Sequence, residues 1–354
     1  MTERLSGVRL APYTTLGLGG PAGAFVEAGT AGELAAEVLR ADRAGEPVLV
    51  LGGGSNLVVS DAGFDGLVVR VASRGVEVAD AGDRVLVTAQ SGEDWDALVV
   101  RSVAEGWAGI ECLSGIPGLV GSTPIQNVGA YGQEVAQTII RVRVLDRVTG
   151  ETREIDAAGC GFAYRHSAFK ADLARYLVLD VTYALERGTG SGPALSGPIA
   201  YKELAARLGV ALGERVPVAD ARQAVLELRR SKGMVLDAAD PDTRSAGSFF
   251  TNPVLRPDQA AELELRASGF PRWENPDGTV KVPAAWLIEQ AGFPKGYARG
   301  PVRISTKHTL ALTNPGMSGS ADDLLLLARE VRDGVAEKFG VTLVNEPIMV
   351  GLAL

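Results

Sequence analysis

The sequence is poor in the residues that build metal centres and disulfide frameworks. Its 354 residues include 2 cysteines and 2 histidines. Cys112 and Cys160 stand in no paired motif, and His166 and His308 are isolated from each other in sequence. A zinc site needs three or four such ligands, so no protein-built metal centre is expected. A disulfide scaffold is not expected either, and two buried, reduced thiols are the anticipated state. Long apolar runs are missing as well: no stretch of about 18 apolar residues occurs, so no membrane-spanning helix is expected. The stretch from Met1 to Tyr13 lacks the apolar core of a signal peptide, and a soluble, cytoplasmic protein is expected. Positive charge is scarce. Lys plus Arg number 35 against 43 Asp plus Glu, a formal net charge of -8. Such a chain has no electrostatic pull toward nucleic acid or an anionic membrane, and neither is expected as a partner. Any phosphate it holds must be met by local cations or by backbone N–H groups.

Glycine, in contrast, is abundant, with 44 copies and no three-residue period, which points to Gly-rich loops. Apolar residues at 46% and charged residues at 22% mark a globular chain long enough for two or three domains. Thr30 and Glu33 read as a capping box opening a helix with Leu34, Val38 and Leu39 on one face and Gly45 as its stop. Pro47 to Leu51 reads as a short buried strand. Further strands are expected at Gly66 to Val71 and Asp83 to Ala89. A helix is expected from Gly92 to Glu105, with Ser91 as cap and Trp95, Leu98, Val99 and Val103 buried. Strands at Arg141 to Val148 and Tyr176 to Leu185 precede a flexible link from Gly188 to Gly197. The last third predicts helices at Ala219 to Ser231, Asp258 to Ala267 and Ala284 to Gln290, and a strand around His308 to Leu312. A long helix follows Ser320 with Leu324, Leu327, Val331 and Val335 inward, and an apolar strand pair closes the chain around Glu346. There is no internal repeat. Mixed elements in segregated runs favour α+β over a doubly wound sheet.

Two loops carry the chemistry. Gly52-Gly53-Gly54-Ser55-Asn56 offers successive N–H groups that could close on a pyrophosphate. It is not a P-loop, because no Lys-Ser/Thr pair follows its glycines. It is not a Rossmann turn either, because Leu57-Val58-Val59 reads as extended rather than helical. On its own it is equally well a tight turn between strands. The second loop is longer. Ile110 to Gly132 is apolar enough to be buried yet has no clean period, and loops of that length are usually functional. It contains Ser114-Gly115-Ile116-Pro117-Gly118 and Gly121, then Gln126-Asn127 and Gly129-Ala130-Tyr131-Gly132. Small residues let backbone approach a flat ligand, while Gln126 and Asn127 offer amide groups, a combination suited to an isoalloxazine ring and a diphosphate.

In this order and spacing the two loops resemble the FAD-binding half of the UDP-N-acetylenolpyruvoylglucosamine reductases, the MurB family. The similarity runs from Thr14-Thr15-Leu16-Gly17 to Glu346. It implies the vanillyl-alcohol-oxidase-type FAD-binding fold of two α+β subdomains, 1–70 and 71–220, plus a C-terminal α+β substrate-binding domain, 221–354. FAD would lie against the glycines and their neighbours in both loops, and NADPH would be the co-substrate. A nucleotide sugar is the implied partner, and a monomer or weak dimer is expected.

Three further segments match the family's catalytic positions. Tyr164-Arg165-His166-Ser167-Ala168-Phe169-Lys170 is similar to its Tyr-Arg-x-Ser-x-Phe-Lys segment, Gly247-Ser248-Phe249-Phe250-Thr251-Asn252-Pro253 to its Gly-Ser-Phe-Phe-x-Asn-Pro, and Glu346-Pro347 to its C-terminal Glu-Pro. The resemblance implies that Arg165, Ser248 and Glu346 act on an enolpyruvyl ether. Hydride would come from the reduced flavin, a proton from Ser248, and Arg165 and Glu346 would face the charge that develops near the carboxylate. Lys232, Asn252 and His308 would contact the substrate, although His308 reads equally as a core histidine. Tyr201 resembles the tyrosine of the family's first subtype, carried on a mobile loop near 188–205 that closes over the substrate. The basic run Arg229, Arg230 and Lys232 is either a solvated helix face or a diphosphate contact. Two alternatives stay open: another flavin oxidoreductase of this fold, such as a carbohydrate oxidase, and a non-catalytic binder of flavin or nucleotide sugar.

Overall fold

A computed structural model describes residues 3–188 and 192–354. Residues 189–191 of the expected flexible link lie outside the described residues. The chain forms two compact units, each assembled from separate stretches. The first comprises Met1–Val8, Ala22–Gly53 and Asp65–Ser231; the second comprises Arg9–Pro21, Gly54–Phe64 and Lys232–Leu354. The N-terminal elements in chain order are β1 (Ala22–Ala28), α1 (Ala31–Ala44), β2 (Val48–Leu51), β3 (Leu57–Val59), β4 (Phe64–Val71), β5 (Val76–Ala81), β6 (Arg84–Gln90) and α2 (Trp95–Ala104).

In the first unit, β1, β4 and β2 make a three-stranded sheet in that order, with β2 and β4 parallel. Leu34, Val38 and Ala41 of α1 pack with Val26, Leu67 and Val69 of the strands. The Thr30 hydroxyl accepts the Glu33 N–H at 3.1 Å, as a helix cap should. Glu33 in turn accepts the N–H of Gly29 rather than that of Thr30, so half of the expected capping box forms. A second, antiparallel sheet runs through 151–156, 139–146, 176–187, β6 and β5 in that order. Trp95, Leu98 and Val99 of α2 share a core with Val85, Val87, Val181 and Tyr183 of this sheet. Here the expected cap is corrected. Asp94, not Ser91, caps α2 by accepting the Ala97 N–H at 2.8 Å. The Ser91 hydroxyl is buried and lies 3.2 Å from that of Ser73.

The second unit buries the predicted face of a 19-residue helix, Ala321–Phe339, with Leu324, Leu327, Val331 and Val335 inward. Phe249 and Phe250, the helices Pro257–Arg266 and Ala284–Gln290, and Leu16 and Leu18 share that core. Two sequence expectations change. The strand placed around His308 to Leu312 shrinks to Leu312–Thr313. Turn bonds replace ladder bonds before it, since the Ser305 hydroxyl accepts the N–H groups of Lys307 and His308. The closing strand pair around Glu346 is not a pair of neighbours in sequence. Ile348–Val350 runs parallel to β3, while Asn345 bridges Phe250. Both units mix helix and strand, the α+β class expected. Among the described residues, no helix is long and apolar enough to cross a membrane.

Candidate functional site

In the first unit the two Gly-rich stretches meet backbone to backbone. A Cβ placed on Gly53 would sit 2.8 Å from the Cα of Gly118, so only glycine allows this approach. At Gly52 a Cβ would lie 2.9 Å from the Ser122 hydroxyl, a side-chain end that would have to turn aside. The Ser114–Gly121 loop is held along the entry to α2. Gly115 donates its N–H to Asp96 at 2.6 Å, Gly118 accepts from Trp95, and Val120 and Gly121 donate to Glu93 and Ser91. Ser114 is fully buried, and its hydroxyl donates to the Glu111 carbonyl. Ile116 and Pro117 are half-buried on the same loop, and Gln126 is buried. Gly129 and Ala130 pair with Glu134 and Gln133 in a tight hairpin. Its two central residues, Tyr131 and Gly132, have φ of 50° and 86°, the values a type I′ turn requires. A side-chain-free backbone surface beside buried polar groups fits a flat ring and a diphosphate. On that geometry these residues suit FAD.

Asn127 is used differently from a plain ligand contact. Its amide donates to Glu134 at 2.9 Å and to the Ala163 carbonyl at 3.0 Å, and its oxygen accepts from Ala136. The Ala163 contact draws in the segment bearing Arg165. The Ser167 hydroxyl, fully buried, donates to the Ile125 carbonyl at 2.7 Å and caps a short helix by accepting the Lys170 N–H. Arg165 itself adopts φ of 53° and donates to the Gly129 carbonyl at 2.8 Å, with its guanidinium over the Tyr164 ring. A non-glycine residue in the left-handed region costs energy that its surroundings must hold in place. The guanidinium is therefore fixed to the same hairpin as Tyr131.

Tyr201 is 44% exposed and opens the helix Lys202–Leu208. Its ring meets that of Tyr131 edge-on, with centroids 5.4 Å apart. Burial, together with the nearby Glu203 charge, raises the Tyr201 hydroxyl above its ordinary pKa. Burial also pushes Tyr131 up to about 12. The basic run divides: Arg229 is buried and donates to the Gly115 carbonyl, while Arg230 faces outward. Burial pulls Arg229 down to about 10, partly offset by Tyr131 and Asp96. Asp96 holds Arg222 by two bonds, at 2.7 and 2.9 Å. Burial works against its charge, but the bonds from Arg222 and Gly115 outweigh that and hold its pKa below the ordinary value.

The second unit brings two of the three expected catalytic segments together. Phe250 and Asn345 form an antiparallel bridge, Phe249 accepts the Glu346 N–H at 2.8 Å, and Thr251 donates to Val344. Ser248 follows Gly247, whose φ is 73°, and both Ser248 and Glu346 are half-buried. Gly54, Ser55 and Asn56 belong here too, since Asn56 accepts the Ile348 N–H at 2.9 Å. The Asn252 oxygen accepts the Ala284 N–H, opening the helix Ala284–Gln290. His308 and Lys232 are half-buried. The segment between Lys232 and Ser248 is tied down by Asp242, which is buried and accepts from Arg303 and from the Thr306 hydroxyl and N–H. Arg165 lies in the first unit, Ser248 and Glu346 in the second.

Comparison with known proteins decides the family. Residues 22–156 match the family described as FAD binding domain, and residues 240–350 match the C-terminal domain of UDP-N-acetylenolpyruvoylglucosamine reductase. The reductase of that name from Thermobifida fusca is 58% identical, over 98% of both chains. That from Streptomyces coelicolor is 52% identical, over 99% of this chain and 91% of its own. The chain belongs to the MurB family. The solved reductase from Thermus caldophilus, 27% identical, covers 99% of each chain with a TM-score of 0.66. The α+β fold and the flavin-dependent oxidoreductase class expected from the MurB resemblance therefore hold.

Two buried polar groups, Glu111 and Gln133, escape the expectations drawn from sequence, and Arg229 enters there only as a solvated-face or diphosphate-contacting cation. Glu111 interrupts the apolar run Ile110-Glu111-Cys112-Leu113, a lone charge that signals an internal partner. Gln133, buried, is that partner. Arg229 continues the buried face of Val218, Ala221 and Val225 at helical spacing, which separates it from Arg230.

Proposed function

We propose that this chain reduces UDP-N-acetylglucosamine enolpyruvate to UDP-N-acetylmuramate, a precursor of peptidoglycan, with NADPH as the reductant. FAD, held by the Gly-rich backbone of the two loops, would supply the hydride-transfer chemistry between NADPH and the terminal carbon of the enolpyruvyl ether. The protein's own residues do the rest. Arg165 and Glu346 face the charge that develops beside the carboxylate, where one well-placed donor is worth about 3 kcal/mol. Ser248 supplies the proton to the adjacent carbon as general acid. Lys232 and Asn252 contact the nucleotide, with His308 as a further substrate contact, and Tyr201 closes over the sugar as in the family's first subtype. The backbone of Gly52–Asn56, Ser114–Gly121 and 126–132 holds the flavin across subdomains 1–70 and 71–220, and residues 221–354 carry the substrate. The enzyme works in the cytoplasm as a monomer or weak dimer.

The observation that most supports this reading is the bond from the Glu346 N–H to the Phe249 carbonyl. It sets a hydroxyl and a carboxyl residue from distant parts of the sequence on neighbouring segments joined by the Phe250–Asn345 bridge. The test is direct. Purified protein should be yellow, and its NADPH oxidation should depend on UDP-N-acetylglucosamine enolpyruvate. NADPH consumption unchanged by that substrate would favour an oxidase. A colourless, inactive protein would favour a binder.

A further inference from the structure

Glu111 is a fully buried carboxylate to which the proposed reaction gives no task. It begins the stretch that runs into Ser114 and Gly115, and it accepts three N–H groups. Gly109 donates to one of its oxygens at 2.6 Å, while the Gln133 amide, at 2.9 Å, and the Gly197 backbone, at 2.8 Å, share the other. Gln133 is held in turn, because its oxygen accepts the Cys112 N–H at 2.7 Å. The partner that matters most is Gly197, which lies 86 residues along the chain and just before Tyr201.

Two more contacts seat that segment on the same hairpin. A Cβ on Gly132 would fall 3.0 Å from the Cβ of Ala200, so the two stretches touch there. The Tyr131 and Tyr201 rings then meet edge-on. From Gly197 to Tyr201 the chain therefore rests on 131–133, and a buried, charge-assisted bond fixes its start. Bonds of this kind are stronger than neutral ones, and their geometry is fixed by the short reach of the carboxylate. The burial of Ile199, Leu204 and Ala205 with Cys112 and Val225 sets the far end of the segment. Between these two anchors the exposed Tyr201 has little freedom in where its ring can point.

We infer that Glu111 is a positioning residue for nucleotide-sugar binding, acting through Tyr201 by anchoring the segment that carries it. This inference rests on the function proposed above. Shortening the side chain without removing its charge separates anchoring from burial. In Glu111→Asp the carboxylate withdraws by about one carbon–carbon bond from its donors, Gly197 among them. Glu111→Gln keeps the reach and one acceptor oxygen for Gly197, but sets an NH2 group against the Gly109 N–H.

In Glu111→Asp, KM for UDP-N-acetylglucosamine enolpyruvate should rise about tenfold, the weight of one charge-assisted hydrogen bond. Flavin content and the rate of flavin reduction at saturating NADPH should stay at the wild-type level. Glu111→Gln should recover part of the affinity, since the Gly197 bond is kept while the Gly109 bond is lost. In a Tyr201→Ala background, Glu111→Asp should add nothing further, since both changes remove the same contact. Additive effects in that cycle, or an equal fall in both half-reactions, would overturn the inference. If Glu111→Asp does not fold, Gly197→Pro removes the donor on the loop side, along with some backbone freedom, and should raise KM at least as much; an unchanged KM counts against the anchor. Hydrogen exchange in a peptide covering 192–201 reads the anchor without any activity. Faster exchange at Gly197 in Glu111→Asp supports it and unchanged exchange refutes it, even if the wild-type enzyme acts on some other substrate.

Discussion

Glu346 donates its backbone N–H to the carbonyl of Phe249, the residue after Ser248. The pairing is main chain to main chain, so side-chain substitutions at either position leave it intact. Their effects on rate can then be read as chemistry rather than as collapse of the local fold. Ser248→Ala should leave flavin reduction by NADPH unchanged and slow flavin reoxidation by substrate by roughly a hundredfold or more. Stopped-flow absorbance of the flavin in separate half-reactions checks this. An equal loss in both would assign Ser248 another role.

Ser167 carries two duties at once, capping the short helix that begins at Ala168 and satisfying the Ile125 carbonyl. Ser167→Ala should cost about 1–2 kcal/mol in stability from the lost cap and the stranded carbonyl. Urea denaturation followed by circular dichroism gives the number. The same variant should lower kcat, because Arg165 is two residues away on the loosened segment.

Gly53→Ala should weaken flavin binding. The new methyl group meets the backbone of Gly118, which has no flexible end to swing aside, and overpacking of this kind typically costs about 1–3 kcal/mol. The ratio of flavin to protein absorbance in the purified variant is the measurement. Gly29→Ala is the control, since its Cβ would meet only the Glu33 carboxylate at an ordinary 3.5 Å. It should bind flavin as the wild type does.

Asp242 should make stability depend on acid. Burial raises its pKa, but the hydrogen bonds from Thr306 and Arg303 outweigh burial, and the folded value lies below the ordinary one. Its contribution is therefore fully present above the unfolded carboxylate pKa, about 3.9, and is lost as pH falls through the depressed folded value. Urea midpoints between about pH 3 and pH 7 should fall less steeply in Asp242→Asn than in the wild type. The variant should also be the less stable of the two at neutral pH. Parallel curves would show that the carboxylate carries no such linkage.

Much of the local structure was legible because it is written in nearby residues. Thr30 caps α1, Gly45 ends it at φ of 68°, and Ala284–Gln290 was placed residue for residue. The failures share one physical origin, the capture of a hydroxyl group by a partner other than the one the local pattern suggests. Ser91 looked like a cap but is turned toward Ser73, leaving Asp94 to do the work. The strand near His308 gave way to a turn organised by the Ser305 hydroxyl. At the site, the motifs of Arg165, Ser248 and Glu346 could be found by resemblance. Their supports could not, because Asn127 to Ala163, Ser167 to Ile125 and Glu111 to Gly197 are long-range bonds with no local pattern.

The strand Ile348–Val350 lies parallel to Leu57–Val59, so a layer begun early is completed nearly three hundred residues later in the chain. During synthesis Leu57–Val59 must wait for this partner strand while the intervening residues follow (roughly 15–60 s at ordinary elongation rates). Deleting Ile348–Val350 should therefore harm solubility of the nascent chain more than so short a cut suggests.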